Sequence, residues 1–194
     1  YDLLVGDYNG RVRLYINDGD MHSSNFSDNG FLNEIDLGFF SVPELCDIDG
    51  DSDLDLFIGN YTGGVYLFEN TGSTDNFTLS QTELDLPGSS DLKRTAPRLI
   101  DLDFDGDFDL VVGTQDSGVV LYWNIGDELN FSFVKDQCLD IYVYGKNIKP
   151  EFADIDSDGS LDLVTGVSTG GFFHYSVISI GDVNSDTNLD IFDL

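Results

Sequence analysis

The fold of this chain is decided by residues 101–113, which read Asp101-Leu102-Asp103-Phe104-Asp105-Gly106-Asp107-Phe108-Asp109-Leu110-Val111-Val112-Gly113. Acids occupy positions 1, 3, 5, 7 and 9 of this loop, and a glycine occupies position 6. Carboxylates at this spacing can converge on one point, as the oxygen ligands of a calcium ion must. Position 12 is acidic in a helix-loop-helix calcium site, but here it is Val112, inside a β-branched apolar run. The loop therefore leads into a strand.

The same pattern occurs at residues 47–59 and 154–166, so the chain is built from repeats. The copies begin at Asp47, Asp101 and Asp154, which gives periods of 54 and 53 residues. Residues 2–6 match the end of each copy, from its last loop aspartate to its glycine. We therefore expect a first repeat that lacks its leading strand and most of its loop, and we interpret the chain as a fragment or a processed product.

Each period contains segments typical of four short strands and no amphipathic segment of helix length. A glycine-bearing turn precedes a β-branched and aromatic run, as at residues 117–122, which predicts a tight hairpin. More variable segments, such as residues 76–80 and 130–134, predict an outer strand. A proline stands before each acidic loop and predicts the first residue of the leading strand, at Pro43, Pro97 and Pro150.

A four-stranded repeat of about fifty residues is typical of a β-propeller blade. We therefore predict an all-β fold, a β-propeller with blades of about 53 residues; a β-sandwich or a solenoid is the alternative. The predicted propeller domain covers residues 1–178, and its blades are residues 1–42 (partial), 43–96, 97–149 and 150–178 (partial). Four blades would make a small ring, so the chain is either a four-bladed propeller or part of a larger one.

The charge of the chain restricts its partners. The sequence contains 37 acids and 8 bases, and its formal net charge is −29 at pH 7. This balance argues against nucleic acid and anionic membrane surfaces and favours cations. No stretch approaches the roughly 18 apolar residues of a membrane-spanning helix, so we expect no membrane insertion.

The two cysteines, Cys46 and Cys138, are too few for a disulfide framework. Cys46 aligns with Ile100 and Ala153 of the next repeats, so we expect a small, buried, apolar side chain there. No repeat position guides an expectation for Cys138.

The repeated motif is Asp-x-Asp-x-Asp-Gly-x-x-Asp-Leu-x-x-Gly, followed by a glycine turn, a strand-like run and, in three copies, an asparagine. It resembles the FG-GAP or VCBS-type repeats of bacterial surface proteins, relatives of which occur in integrin α-subunit propellers. The resemblance implies calcium binding through side chains at positions 1, 3, 5 and 9 and the backbone carbonyl at position 7. The first loop departs from the motif, with Gly50 at position 4 and Ser52 at position 6. The implied ligands are Asp47, Asp49, Asp51, the Asp53 carbonyl and Asp55; Asp101, Asp103, Asp105, the Asp107 carbonyl and Asp109; and Asp154, Asp156, Asp158, the Ser160 carbonyl and Asp162.

Residues 179–194 differ from the repeats and resemble the first calcium loop of a dockerin-like module, truncated before its helix. Position 12 of this loop is an acid, as a helix-loop-helix site requires, although Thr187 replaces the usual glycine. A completed module of this kind would bind a cohesin-like partner. The alternative is a degenerate propeller loop that uses Asp190 at position 9. The implied dockerin-like ligands are Asp182, Asn184, Asp186, the Asn188 carbonyl and Asp193.

The pattern favours a secreted or cell-surface module of bacterial type over an enzyme. Extracellular calcium modules bind with Kd on the order of 10⁻⁴ to 10⁻³ M, which implies a calcium-rich compartment. The repetition of the acid pairs indicates that they serve a metal rather than acid–base catalysis, and no nucleophile motif is present. His174 replaces a leucine of the other repeats, so we expect a partly buried strand histidine there.

The expected function is adhesion or the binding of a protein or glycan ligand. Tyr8, Tyr61 and Trp123 lie near predicted turns and are candidates for stacking on sugar rings, or else they cover the sheets. The alternative is the propeller portion of a polysaccharide-degrading enzyme, such as a calcium-dependent lyase. Such an enzyme needs basic groups for an acidic substrate, and the candidates near blade junctions are Lys93, Arg94, Arg98 and Lys146.

Overall fold

The computed structural model describes residues 1–32, 35–74, 76–82, 84–127, 129–136, 141 and 143–176. Within these ranges the chain forms fourteen β-strands in four antiparallel sheets and one 3-10 turn, Ser89–Asp91. No helix in the described ranges is long and apolar enough to cross a membrane. The predicted all-β class is confirmed.

Strands that follow one another along the chain are neighbours within each sheet. The first sheet contains β1 (Leu3–Gly6), β2 (Val12–Asn17) and β3 (Phe26–Phe31). The second contains β4 (Val42–Cys46), β5 (Asp55–Gly59), β6 (Val65–Asn70) and β7 (Leu79–Thr82). The third contains β8 (Ala96–Ile100), β9 (Asp109–Gly113), β10 (Val119–Asn124) and β11 (Phe133–Lys135). The fourth contains β12 (Lys149–Ala153), β13 (Asp162–Gly166) and β14 (Phe172–Ser176).

The predicted hairpins are present, but the outer strands begin later than expected. In the third sheet, Gly113 pairs with Val119 across the predicted glycine turn. The outer strands β7 and β11 start about three residues after the predicted segments at 76–80 and 130–134. The first residues of those segments belong to a turn instead, in which the Thr71 N–H donates to the Thr78 carbonyl at 2.9 Å.

The three prolines lie at the second residue of β4, β8 and β12, not at the first as predicted. Each of these strands lies at the edge of its sheet and pairs with one neighbour in the described sheet order. An edge strand has a side that needs no backbone N–H donors, so it tolerates proline.

The sheets pack face to face in chain order, and the middle strands β5 and β9 are buried along their whole length. Alternate residues of β9 point to opposite neighbours, because the side chains of a strand alternate between its faces. Leu110 packs in a cluster with Phe57 of the second sheet, and Val111 packs in a cluster with Leu163 of the fourth. This burial on both faces explains why these strands are continuous apolar runs.

The leading strands of three sheets also face one another. Arg98 of β8 forms ion pairs with Glu44 of β4 and with Glu151 of β12, the latter at 2.8 Å. These three residues are spaced by 54 and 53 positions, so they are equivalent in the repeats. Backbone hydrogen bonds fasten successive sheets, as from the Thr95 N–H to the Asn60 carbonyl at 3.0 Å.

Candidate metal centres

The three acidic loops, residues 47–55, 101–109 and 154–162, each join the first strand of a sheet to the second. They therefore lie at the same edge of the second, third and fourth sheets. The backbone turns into the left-handed region at loop positions 4 and 6. The φ values at these two positions are 72° and 76° at Gly50 and Ser52, 62° and 103° at Phe104 and Gly106, and 62° and 90° at Ser157 and Gly159. The departures that the sequence shows in the first loop thus leave its backbone conformation at these two positions unchanged.

The position 1 carboxylate holds each loop closed. One oxygen accepts the N–H of position 6, at 3.0 Å for Asp47, 3.2 Å for Asp101 and 3.1 Å for Asp154. The other oxygen, Oδ1, is buried without a hydrogen-bond partner in Asp47 and Asp101. A buried carboxylate oxygen without a partner is costly, and a bound cation removes that cost.

Three carboxylates converge in each loop. They are those of Asp47, Asp49 and Asp55 in the first loop, Asp101, Asp103 and Asp105 in the second, and Asp154, Asp156 and Asp162 in the third. One oxygen from each residue of a group lies within 4.8 Å of the others. Oxygens on opposite sides of a calcium ion at 2.3–2.6 Å are about 5 Å apart, so each group fits one ion. Three oxygens are fewer than the six to eight that calcium takes, so further ligands would be needed.

Two position 5 carboxylates, those of Asp51 and Asp158, are not members of these groups. Their oxygens accept the N–H of position 7, at 3.0 Å and 2.8 Å. Asp105 makes the same bond at 3.0 Å and belongs to a converging group as well. One oxygen of each position 5 side chain thus fixes the loop backbone.

The position 9 aspartates are the most buried acids of the loops, each 1% exposed. Asp109 accepts the N–H of Leu102 at 3.1 Å and that of Asn124 at 2.9 Å, and Asp55 is bonded in the same way. Burial raises the pKa of Asp109 to about 7, although the two N–H donors oppose this. A cation in the loop would favour the ionised carboxylate.

Position 7 shows a feature that the sequence reasoning missed. We expected its backbone carbonyl to be the ligand, but the side chains of Asp53 and Asp107 are also buried, and each has an Oδ1 without a hydrogen-bond partner. Desolvation and then the neighbouring Asp105 carboxylate raise the pKa of Asp107 to about 6. Acids occupy every odd position of these two loops, and this alternation could have indicated that the position 7 side chain also faces the site. The third loop lacks the pattern, because its position 7 residue is Ser160.

The asparagine that closes the first three repeats bonds both to the last aspartate of the acidic loop and to the turn that follows. The Asn124 N–H donates to Asp109, and its side-chain oxygen accepts the N–H groups of Gly126 at 3.2 Å and Ser132 at 2.7 Å. Asn17 and Asn70 make equivalent bonds. In the fourth sheet, His174 Nε2 lies 3.2 Å from Asp162 Oδ1, and its side chain is 42% exposed, more than we expected.

The remaining candidates have different outcomes. Cys46 is buried, as predicted, and burial raises the pKa of its thiol to about 12. Trp123 donates its ring N–H to Asp136 at 2.6 Å. The dockerin-like ligands Asp182, Asn184, Asp186, Asn188 and Asp193 lie outside the described residues, as do Asp190 and Cys138.

The chain is an all-β repeat protein in which three acidic loops that could hold a metal ion lie at one edge of the sheets. The sequence model of a family described as FG-GAP-like repeat matches residues 47–112 and, in a second overlapping match, residues 101–165. Together these matches span more than half of the chain, and the chain belongs to the FG-GAP-like repeat family. Such repeats point generally to ligand-binding or adhesion-type β-propeller modules. A search of curated protein sequences found no match.

Proposed function

We propose that this chain is a calcium-stabilised β-propeller module, secreted or displayed at a cell surface, that binds a protein or glycan ligand. The observation that supports it best is the convergence of three carboxylates within 4.8 Å in each of three equivalent loops. Those loops join the first two strands of successive sheets, so an ion there would fix the corner of each blade.

The propeller architecture is supported by how the sheets pack. Each described sheet is a meander of three or four strands, and the sheets stack on one another in chain order. The leading strands of the second, third and fourth sheets lie next to one another, and Arg98 forms ion pairs there with Glu44 and Glu151. Sheets that stack in chain order with their leading strands in contact are expected of blades around an axis. We therefore propose that the four sheets form all or part of a ring.

Calcium suits the loops better than magnesium does. Calcium accepts six to eight oxygens in irregular geometry, whereas magnesium demands a near-ideal octahedron and keeps several waters. The loops supply ligand oxygens from several aspartates. The first two loops also contain buried carboxylate oxygens that have no hydrogen-bond partner among the described residues. An ion here would have a structural role, because these acids otherwise repel one another. Extracellular calcium modules bind with Kd on the order of 10⁻⁴ to 10⁻³ M, so a calcium site of this kind would be filled in a compartment outside the cell.

Calcium binding is tested by isothermal titration calorimetry on chelator-treated protein. We expect three sites, or four if the loop at residues 182–193 also binds. Kd should be on the order of 10⁻⁴ to 10⁻³ M. Asp103→Asn should remove one site, because it takes one charge from a converging group. The control Asp91→Asn changes an exposed acid outside the loops and should leave all sites intact. Absence of calcium heat, or an unchanged stoichiometry in Asp103→Asn, would contradict the proposal.

A binding role is favoured over catalysis because the clustered acids are engaged in loop structure. Each position 1 and position 9 carboxylate accepts backbone N–H groups of its own loop. Incubation with pectin-like polymers, followed by ultraviolet absorbance of unsaturated products, tests the lyase alternative. Sustained product formation by the chain, absent from an Arg94→Asn variant, would overturn the non-enzymatic role.

A further inference from the structure

A cavity of about 250 Å³ lies at the edge of the sheets opposite the acidic loops. Four short segments line it, one from each sheet: residues 6–8, 40–42, 94–96 and 147–149. Three of these segments begin a leading strand, and the first follows the end of β1. In an antiparallel pair, the start of the first strand lies beside the end of the second. Val42, at the start of β4, pairs with Gly59 at the end of β5, whereas Cys46 pairs with Asp55 beside the acidic loop. The cavity edge and the loop edge are therefore opposite ends of the sheets.

The backbone of this cavity is repeated, but its side chains are not. Phe40, Arg94 and Asn147 have φ values of 57°, 49° and 54°, and they are spaced by 54 and 53 residues. A non-glycine residue in this left-handed region is uncommon, and such outliers often occur at functional sites. The repeat thus presents three different side chains, an aromatic, a cationic and an amide group, from one backbone conformation.

The cavity also carries two cations that have no acidic partner among the described residues. Arg11, Arg13, Arg98 and Lys146 all form ion pairs with acids. Arg94 and Lys149, which line the cavity, form no ion pair with an acid in the described part of the chain. The cavity lining contains one acid, Asp7, and Arg11 neutralises it at 3.1 Å. In a chain of net charge −29, two cations that share one cavity and form no ion pair within the described ranges favour an anionic ligand.

Aromatic rings hold Arg94 and extend the site outward. The Arg94 guanidinium lies 4.5 Å from the Phe40 ring centroid and 4.9 Å from that of Tyr61, so stacking restrains its orientation. The Tyr8 ring packs edge-on against Phe40 at 4.8 Å and remains 61% exposed. An exposed ring beside a fixed guanidinium suits a sugar ring that bears a carboxylate.

We propose that this cavity binds a hexuronate, the carboxylate-bearing sugar unit of an acidic glycan. The carboxylate pairs with Arg94 and Lys149, and the sugar ring packs against Phe40 and Tyr8. The cavity is slightly below the roughly 300–1,000 Å³ of drug-sized sites, which suits one sugar unit rather than a long segment. The inference rests on the proposed ligand-binding function and names its ligand class.

The test is calorimetric titration of the whole chain in calcium-containing buffer with galacturonate, galactose and acetate. We expect galacturonate to bind at least about tenfold more tightly than either control, because only it offers both a carboxylate and a sugar ring. Equal binding of galactose would remove the role of the cations. Equal binding of acetate would remove the role of the sugar ring, and absence of galacturonate binding would overturn the proposal.

Variants identify the residues. Arg94→Asn should weaken galacturonate binding at least about tenfold. Asparagine tolerates the left-handed conformation, as Asn147 does at the equivalent position, so the variant should fold. Lys149→Gln provides a second variant without that backbone constraint, and Arg13→Gln, away from the cavity, should bind galacturonate normally. Unchanged binding in both cavity variants would overturn the assignment.

Calcium-dependent melting, measured on the same samples, separates the two proposals. Stabilisation by calcium without galacturonate binding refutes only the ligand assignment. Galacturonate binding without stabilisation by calcium refutes only the metal role.

Discussion

Removing calcium from the three acidic loops should lower the melting temperature of the chain by roughly 8–30 °C. A bound ion would neutralise acids that lie close together in each loop, and it would pair with oxygens such as Asp47 Oδ1 and Asp101 Oδ1 that have no hydrogen-bond partner among the described residues. In its absence, these groups stay buried and unpaired in the folded state but become hydrated on unfolding. Removing calcium therefore raises the free energy of the folded state and lowers the free energy of unfolding.

The magnitude follows from mass action. A ligand at 10 to 100 times its Kd stabilises the folded state by about 1.4–2.7 kcal/mol per site. With Kd between about 10⁻⁴ and 10⁻³ M, this range corresponds to about 10 mM calcium. Three sites then contribute about 4–8 kcal/mol. For a chain of this size, 1 kcal/mol shifts the melting temperature by about 2–4 °C.

Thermal scans followed by circular dichroism check this value in calcium, in magnesium at the same concentration, and in excess chelator. Calcium should raise the melting temperature more than magnesium does. Asp103→Asn should lose about a third of the calcium-dependent shift, because one of three equivalent sites is removed. The control Asp91→Asn should keep the full shift. A melting temperature that is the same in calcium and in chelator would refute the reasoning.

Three other predictions concern the fold. In calcium-free protein, stability should fall as pH rises from about 5 to 8, because burial raises the pKa of Asp109 to about 7 and the folded state therefore binds more protons than the unfolded one. Urea midpoints at the two pH values test this, and a slope as steep in Asp109→Asn would contradict it. Arg98→Met should lower the free energy of unfolding in urea by about 1–3 kcal/mol, since it leaves partly buried Glu44 without its cation. Arg13→Met breaks the more exposed ion pair with Asp28, and an equal or larger loss in that variant would contradict this prediction. Phe57→Ala should cost about 3–5 kcal/mol, because Phe57 is 0% exposed, whereas Phe172→Ala, at 76% exposed, should be near neutral in the same assay; equal costs would contradict the assigned core.

The repeat pattern predicted much of the fold because each period contains its own turns and strands. The glycine turns, the apolar runs of β5 and β9, and the equivalence of the three loops all follow from local sequence. The later start of β7 was not predicted, because the turn before it depends on Asn70, whose side-chain oxygen accepts the Gly72 and Thr78 N–H groups. The inward side chains at position 7 likewise depend on how the loop packs, which residue types alone do not specify.

The cavity could not have been predicted from the sequence, since its lining comes from four segments far apart in the chain. No glycine marks the left-handed conformation of Phe40 or Arg94. The sequence did identify Arg94 as one of the few bases near a blade junction. What it could not show is that Arg94 lacks an acidic partner among the described residues, because that property depends on where the acids of neighbouring sheets lie.

The separation of the two edges would allow a strongly acidic protein to bind the proposed anion. The leading strand β8 has five residues, Ala96–Ile100, and at about 3.3 Å per residue it spans roughly 16 Å between the cavity and the acidic loop. Exposed charges at that distance are largely screened at physiological salt, where the Debye length is about 8 Å. The electrostatic potential in the cavity is therefore set more by Arg94 and Lys149 than by the acidic loops. Calcium bound in the loops would affect a ligand in the cavity mainly by stabilising the sheets.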